Sequence, residues 1–268
     1  VNQDFPPRDP QQPPGPPEYD PSSTNTGPRR VSIRLPGVSP VVSYALLGIT
    51  IFVFLLQTAS TYLFNGVDWP AVLGMKVNTL IEQGQFWRLL TPMFLHGGLL
   101  HIGFNMYALY LFGPGLERHY GHGRFLLLYL LSGFTGNVMS FLFAAAPSLG
   151  ASTAIFGLLG AEGVFLYQNR QIFGENAQRA LMNIVLIAGI NLFIGGVSQG
   201  IDNWGHVGGL LGGTLFAWSA GPLLHVEGLF PNLTVVDDRQ GGDTLRASLG
   251  VGFLFTLLAA VTIFLRRG

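Results

Sequence analysis

The sequence contains no cysteine, which excludes disulfides, thiolate nucleophiles and cysteine-ligated zinc and leaves the redox compartment unread. Charge is also scarce. Asp, Glu, Lys and Arg make up only 10% of the 268 residues, against about 25% in an ordinary soluble domain. The formal net charge of zero gives no long-range attraction for nucleic acid. In place of charge the chain has 49% hydrophobic residues and a mean hydropathy of +0.42, which point to a membrane. Its 37 glycines fit that reading, because glycine is tolerated in membrane helices and lets their backbones approach closely.

Residues 1–38 are Pro-rich, polar and without apolar periodicity, and are expected to form a disordered cytoplasmic tail. The tail shows no basic stretch followed by an apolar one, so the first apolar span is expected to serve as its own insertion signal. Beyond Arg34 lie seven charge-poor spans long enough for membrane helices, near 40–63, 98–116, 124–146, 151–168, 180–197, 204–222 and 247–265. The run from Phe125 to Ala161 is too long for one helix and is cut at Ala146-Pro147-Ser148-Leu149-Gly150, a turn signal. The expected fold is therefore all-α, a polytopic membrane helical bundle. It divides into a six-helix core over 39–223, a cytoplasmic linker over 224–246 and a seventh transmembrane helix over 247–268. The loop of residues 64–97 carries Trp69, Phe86, Trp87 and Leu90, as an interfacial, partly embedded segment would.

The 14 basic residues orient the bundle. With the N-terminus cytoplasmic, Arg8, Arg29, Arg30, Arg34, Arg118, Arg124, Arg170, Arg179, Arg239 and Arg246 fall inside, while Lys76, Arg88, Arg266 and Arg267 fall outside. The positive-inside rule selects this orientation. Arg266 and Arg267 dissent from it, since a seventh span delivers them to the outer face. The composition is not that of a transit peptide, and the expected location is a bacterial-type plasma membrane.

Polar residues inside membrane spans mark functional sites or helix contacts. Gly150-Ala151-Ser152-Thr153 places a serine in the first turn of the fourth span, where backbone N–H groups have no helical partner. Those donors and the positive helix end suit a developing oxyanion. Serine needs a base to become a nucleophile, and His206 opens the sixth span. The topology carries Ser152 and His206 to similar shallow depth on one side. Gly205, Gly209 and Gly213 give a small-residue stripe beside His206, answered on the fourth span by Gly157, Gly160 and Gly163. From the second span, His96, His101 and Asn105 arrive at the same end, with His101 and Asn105 on one helix face as further oxyanion donors beside Gly150.

Taken together, the GxSx segment at Ser152, the spacing of His96, His101 and Asn105, the Trp87-Arg88 pair and the His-x-x-Gly-x-x-x-Gly run from His206 resemble rhomboid proteases over about residues 40–222. The resemblance implies a six-helix core, sometimes with a seventh helix, in which a Ser–His dyad cleaves transmembrane protein substrates near the outer membrane surface. It implies Ser152 as nucleophile, His206 as base, Gly150, His101 and Asn105 around the oxyanion hole, Phe156 packed on the histidine, and Trp87 and Arg88 as a structural pair in the first loop. No metal or organic cofactor is implied, and the partners are substrate helices and the lipid bilayer. One position departs, since Thr153 stands where many members have glycine.

Other readings of the same residues stay open. A catalytically inactive rhomboid-like factor that binds membrane proteins is the alternative function. His96, His101 and His206 are also possible metal ligands, although no carboxylate joins them at helix spacing. Asp202, one turn before His206, is either a third catalytic member or a helix cap. Glu162, ten residues below Ser152 in the fourth span, is expected to be structural, either protonated or hydrogen-bonded to Asn137, Asn183 or Asn191. His119, His122 and His225 are expected to be solvated loop residues.

Overall fold

The computed structural model describes residues 37–267 apart from 199 and 231. The tail expected over 1–38 lies, up to residue 36, outside the described residues. Seven long helices form the described bundle: α1 (Val41–Leu63), α4 (Leu99–Tyr120), α5 (His122–Phe143), α6 (Ser152–Gln168), α8 (Glu175–Val197), α9 (Asn203–Ala220) and α10 (Gly241–Arg267). Between α1 and α4 the chain makes the short helices α2 (Trp69–Gly74) and α3 (Asn78–Glu82) and two 3-10 turns, and α7 (Arg170–Phe173) links α6 to α8. The segment read as a plain linker holds an antiparallel hairpin, β1 (Leu224–Glu227) with β2 (Thr234–Asp237), and α10 begins six residues earlier than the apolar run does. Charged residues at a helix end break an apolar run without breaking the helix, so hydropathy alone misplaces such boundaries.

Helices α1, α5, α8 and α10 are long and apolar enough by themselves to cross a membrane. The remaining three carry the polar residues of interest, and α6, with 17 residues, is also the shortest of the seven. α6 is the centre of the bundle: Thr153 to Ala161 are all buried in it, flanked by α5, α9 and α4. Its contact with α9 is backbone to backbone. A Cβ on Gly209 would collide with the Thr153 carbonyl, and one on Gly213 with the Gly157 carbonyl. Gly163 does not belong to this seam; its open side faces Leu181 and Ile184 of α8. The opposite face of α9, unread in the sequence, uses Gly208 and Gly212 against Met139 and Thr135 of α5. Small residues on two faces let α9 lie between two helices at short range, which in a bilayer stabilises through dispersion rather than through the hydrophobic effect.

Two buried charges organise the ends. The Glu117 carboxylate, fully buried, accepts from the N–H groups of Val42 (2.8 Å) and Ser43 (2.7 Å) and from Ser43 Oγ, and so caps α1 from the end of α4. His122 Nδ1 bonds the same carboxylate at 2.6 Å, and His119 stacks on Phe165 with centroids 4.8 Å apart, so neither is merely solvated. At the other end Lys76, also fully buried, donates to the carbonyls of Ala144 (2.7 Å) and Ala146 (2.8 Å) beyond the last turn of α5. Arg266 reaches the carbonyls of Phe141 and Leu142 (both 3.1 Å) and pairs with Glu82 (3.1 Å). The dissenting arginine of the seventh helix is thus held by the carbonyl end of α5, where helix polarity favours a cation.

Candidate active site

α6 and α9 enter the bundle from the same end, each at its N-terminus. The turn before α6 needs Gly150, whose φ of +139° lies outside the range open to ordinary L residues. Gly150 N–H donates to the Pro92 carbonyl (2.9 Å) and Ala151 N–H to His96 Nε2 (3.3 Å), so the loop before α4 holds the turn before α6. His96 is thereby a fastener of the turn. Its own backbone is gripped by Gln57 of α1, which accepts from His96 N–H (3.0 Å) and donates to the His96 carbonyl (3.2 Å), a role unread in the sequence.

These supports bring Ser152 Oγ to 2.9 Å from His206 Nε2. Phe156, one turn below the serine, stacks on the imidazole with centroids 4.2 Å apart and planes 11° apart. Stacking fixes the ring plane, and the hydrogen bond fixes its rotation. Gly150 neighbours both His101 and Ser152: a Cβ built on it would lie 2.7 Å from His101 Nε2 and 3.6 Å from Ser152 Oγ. Gly97 N–H donates to His101 Nδ1 (3.4 Å). With that nitrogen accepting, the neutral ring carries its proton on Nε2, aimed toward Gly150. Asn105 lies on the same face of α4, buried, with its amide donating to the His101 carbonyl (2.9 Å). The N–H groups of Ser152, Thr153 and Ala154 precede the first α6 bond, Ile155 N–H to the Ala151 carbonyl.

Asp202 does not meet the histidine. One of its oxygens accepts from Gly205 N–H (2.9 Å) as the cap of α9 and the other from Ser140 Oγ, whereas His206 Nδ1 is buried without a partner among the described residues. Ser140 also reaches Ser148 (3.3 Å), and Ser148 pairs through its backbone with Lys76. A chain of polar contacts therefore joins the cap of α9 to the turn before α6. Sequence reasoning placed Lys76 only as an outside charge and did not single out Ser140. Among the described residues Glu162 bonds none of the three asparagines: Asn137 donates to the Leu89 carbonyl (3.2 Å) and Asn191 to its own helix (2.8 Å).

Thr153, the departure from the common family pattern, is buried with its side chain against Gly136 of α5 and Gly205 of α9. Two glycines opposite leave the room that its extra atoms occupy. Trp87 and Arg88 lie away from the site. Trp87 Nε1 donates to the Leu73 carbonyl (3.0 Å), and the buried Arg88 to the carbonyls of Met75 and Val72 (both 2.8 Å), so the pair folds the loop between α1 and α4.

Among the described residues no group of three or more His, Cys, Asp or Glu side chains forms a metal cluster. Comparison with known proteins finds the Rhomboid domain family model matching residues 83–222. Rhomboid protease GluP of Bacillus subtilis (strain 168) is 40% identical over 216 residues, which cover 81% of this chain and 40% of GluP. RHOMBOID-like protein 9, chloroplastic, of Arabidopsis thaliana is 33% identical over 231 residues, covering 81% of this chain and 51% of that protein. YdcA, also of Bacillus subtilis, is 32% identical over 183 residues, covering 67% of this chain and 87% of YdcA. The chain thus spans about half or less of the length of the first two and most of the third.

Proposed function

The chain belongs to the rhomboid family, and from that premise we propose that it is an intramembrane serine endopeptidase that cleaves transmembrane protein substrates with a Ser152–His206 dyad. The observation that carries the proposal is the 2.9 Å contact between Ser152 Oγ and His206 Nε2. His206 takes the Ser152 hydroxyl proton as Oγ attacks the scissile carbonyl, and the carbonyl oxygen becomes the oxyanion. Backbone N–H groups at Ser152 and Thr153 together with His101 Nε2–H hold that oxyanion, with Asn105 in reach after rotating from the His101 carbonyl. His206 then gives its proton to the departing amine, leaving an acyl ester on Ser152. Water, deprotonated by His206, attacks the ester and frees the serine. With His206 Nδ1 unpartnered among the described residues and Asp202 bound to Gly205 and Ser140, two residues carry out the proton transfers.

The orientation we propose puts the dyad on the outer side of a bacterial-type plasma membrane and the N-terminus in the cytoplasm. Arg118, Arg124, Arg170, Arg179, Arg239 and Arg246 lie toward the end opposite the dyad. Of the four basic residues at the dyad end, Lys76, Arg88 and Arg266 are engaged by protein carbonyls. The second reading, a non-catalytic binder of membrane proteins, loses support from the intact serine–histidine contact.

The test is cleavage of a helix-destabilised transmembrane substrate by purified full-length protein in liposomes. Wild type is expected to cleave, and Ser152→Ala and His206→Ala to fall to background. Equal rates for wild type and Ser152→Ala would falsify the protease reading.

A further inference from the structure

A groove of about 400 Å³ runs between α9 and α10 at the end of the bundle opposite Ser152. Its walls deep in the bundle are apolar, from Leu215 of α9 and Val251 and Leu254 of α10, with Gly250 leaving the space between them. Arg239, Arg246, Asp243 and Ser219 line it toward the helix ends. From Arg246 to Leu254 the groove follows α10 for about 12 Å of helix axis. A ligand matching it is amphipathic, with a long apolar part inside the bilayer and an acceptor-rich head at the interface.

The head must be anionic. Arg239 donates one Nη to the Trp218 carbonyl (3.1 Å), while its Nε–H is buried with no acceptor among the described residues. Arg246 is mostly exposed and its carboxylate neighbour Asp243 stands 3.9 Å away. Asp243 is itself occupied in accepting from Gln240 N–H at the start of α10 (2.9 Å). Two guanidinium groups with donors to spare therefore line a groove that has a single carboxylate, one oxygen of which is taken by Gln240 N–H. Guanidinium donors match phosphate oxygens in geometry and charge, and basic pockets between transmembrane helices suit acidic lipid headgroups. The bundle supplies its own contrast. A second groove of similar size beside α1, lined by Ile49, Val53, Leu73 and Trp87 among others, has no charged residue in its lining and nothing with which to select a headgroup.

We infer that the groove between α9 and α10 is a binding site for an acidic phospholipid, its phosphate held by Arg239 and Arg246 and an acyl chain lying along Leu215 and Leu254. The site lies in the described seventh helix and its junction with the core, away from the dyad, and it holds whether or not the chain is a protease.

The experiment is native mass spectrometry of the full-length protein released from detergent with equimolar phosphatidylglycerol and phosphatidylcholine. Phosphatidylglycerol is expected to be retained at least five-fold more. The Arg239→Gln/Arg246→Gln double variant should lose that preference, and Gly250→Leu, which fills the floor and keeps both arginines, should reduce retention of either lipid. Inorganic phosphate at the same concentration should not displace the lipid. Equal retention of the two lipids, an unchanged preference in the double variant, or full displacement by phosphate would each overturn the assignment. Melting temperatures within a few degrees of wild type exclude misfolding as the source of a loss, and if Gly250→Leu fails this check, Gly250→Ala takes its place.

Discussion

Helices α8 and α9 both pack on α6, and they do so by different means. α9 meets α6 through glycines, with Gly209 against the Thr153 carbonyl and Gly213 against Gly157. α8 meets it through side chains, with Ile184 and Ala188 in one cluster with Phe156, Leu159 and Leu166. Within α8 only Ala177, Ile184, Ala188 and Gly195 are buried, whereas nine residues of α9 are, five of them glycine. Backbone contact has no rotamers to adjust, so it sets the α6–α9 distance and with it the span from Ser152 to His206. Side-chain contact tolerates displacement, so α8 can shift while the dyad keeps its geometry.

The sharpest way to break this contrast is Gly209→Ala. Even one methyl meets the Thr153 carbonyl, so the two helices must separate, and displacement of a reacting pair by about 1 Å costs about 100-fold in rate. Cleavage should fall by about that factor while Ala188→Gly on α8 stays within a few-fold of wild type; similar losses in both would remove the distinction.

Next in size is Lys76→Met, which removes the donor from the Ala146 carbonyl and one of two donors from the Ala144 carbonyl, which keeps Asn78 Nδ2 (3.0 Å), before the turn that carries Ser152. Each part-buried hydrogen bond lost costs about 0.5–1.5 kcal/mol, to be read as a lower melting temperature. A pH series adds a second readout. Burial lowers the Lys76 ammonium from 10.5 to about 8, with the nearby Asp202 carboxylate opposing the shift. Below about 8 both folded and unfolded chains hold the proton. From there up to 10.5 only the unfolded chain does, so wild-type stability rises with pH through that window. The rise should vanish in the methionine variant.

Thr153→Gly restores the residue common in the family and empties the space between Gly136 and Gly205. A loss of about 1–2 kcal/mol is expected from the cavity and the added chain freedom, with cleavage kept within a few-fold because the backbone N–H remains. A gain in stability would mean that the threonine is strained where it stands. The smallest effect belongs to Asn203→Ala. Asn203 Nδ2 donates to the Leu192 carbonyl of α8 (2.8 Å), tying the start of α9 to the looser helix. Its loss should cost about 0.5–1.5 kcal/mol and raise hydrogen exchange near the end of α8 without changing exchange in α9.

Apolar periodicity had no part in making this site legible, although helical spacing put His101 and Asn105 on one face. Ser152, His206, His101 and Phe156 stood out because a membrane span holds few polar groups, and because their order and spacing resembled a family. The same scarcity should have flagged Ser140 and Gln57, but a lone serine or glutamine in an apolar run carries no spacing that names its partner. Their partners, Asp202 and His96, lie 62 and 39 residues away. His119 and His122 were misread for a related reason. Glu117, which holds His122, sat just beyond the apolar interval and was counted with the loop.

By itself the sequence determined that the chain is a helical membrane bundle, where its seven long helices lie and which ends share a side. Those properties depend on hydropathy and on alternation of direction along the chain. Only the tertiary structure decided that Gly163 faces α8, that Arg266 is held by the α5 carbonyls, and that Asp202 caps α9 while His206 Nδ1 has no partner among the described residues. These depend on helix rotation and on distances of a few ångströms between segments far apart in the chain. A one-dimensional pattern fixes which residues share a helix face, but not which neighbour that face meets.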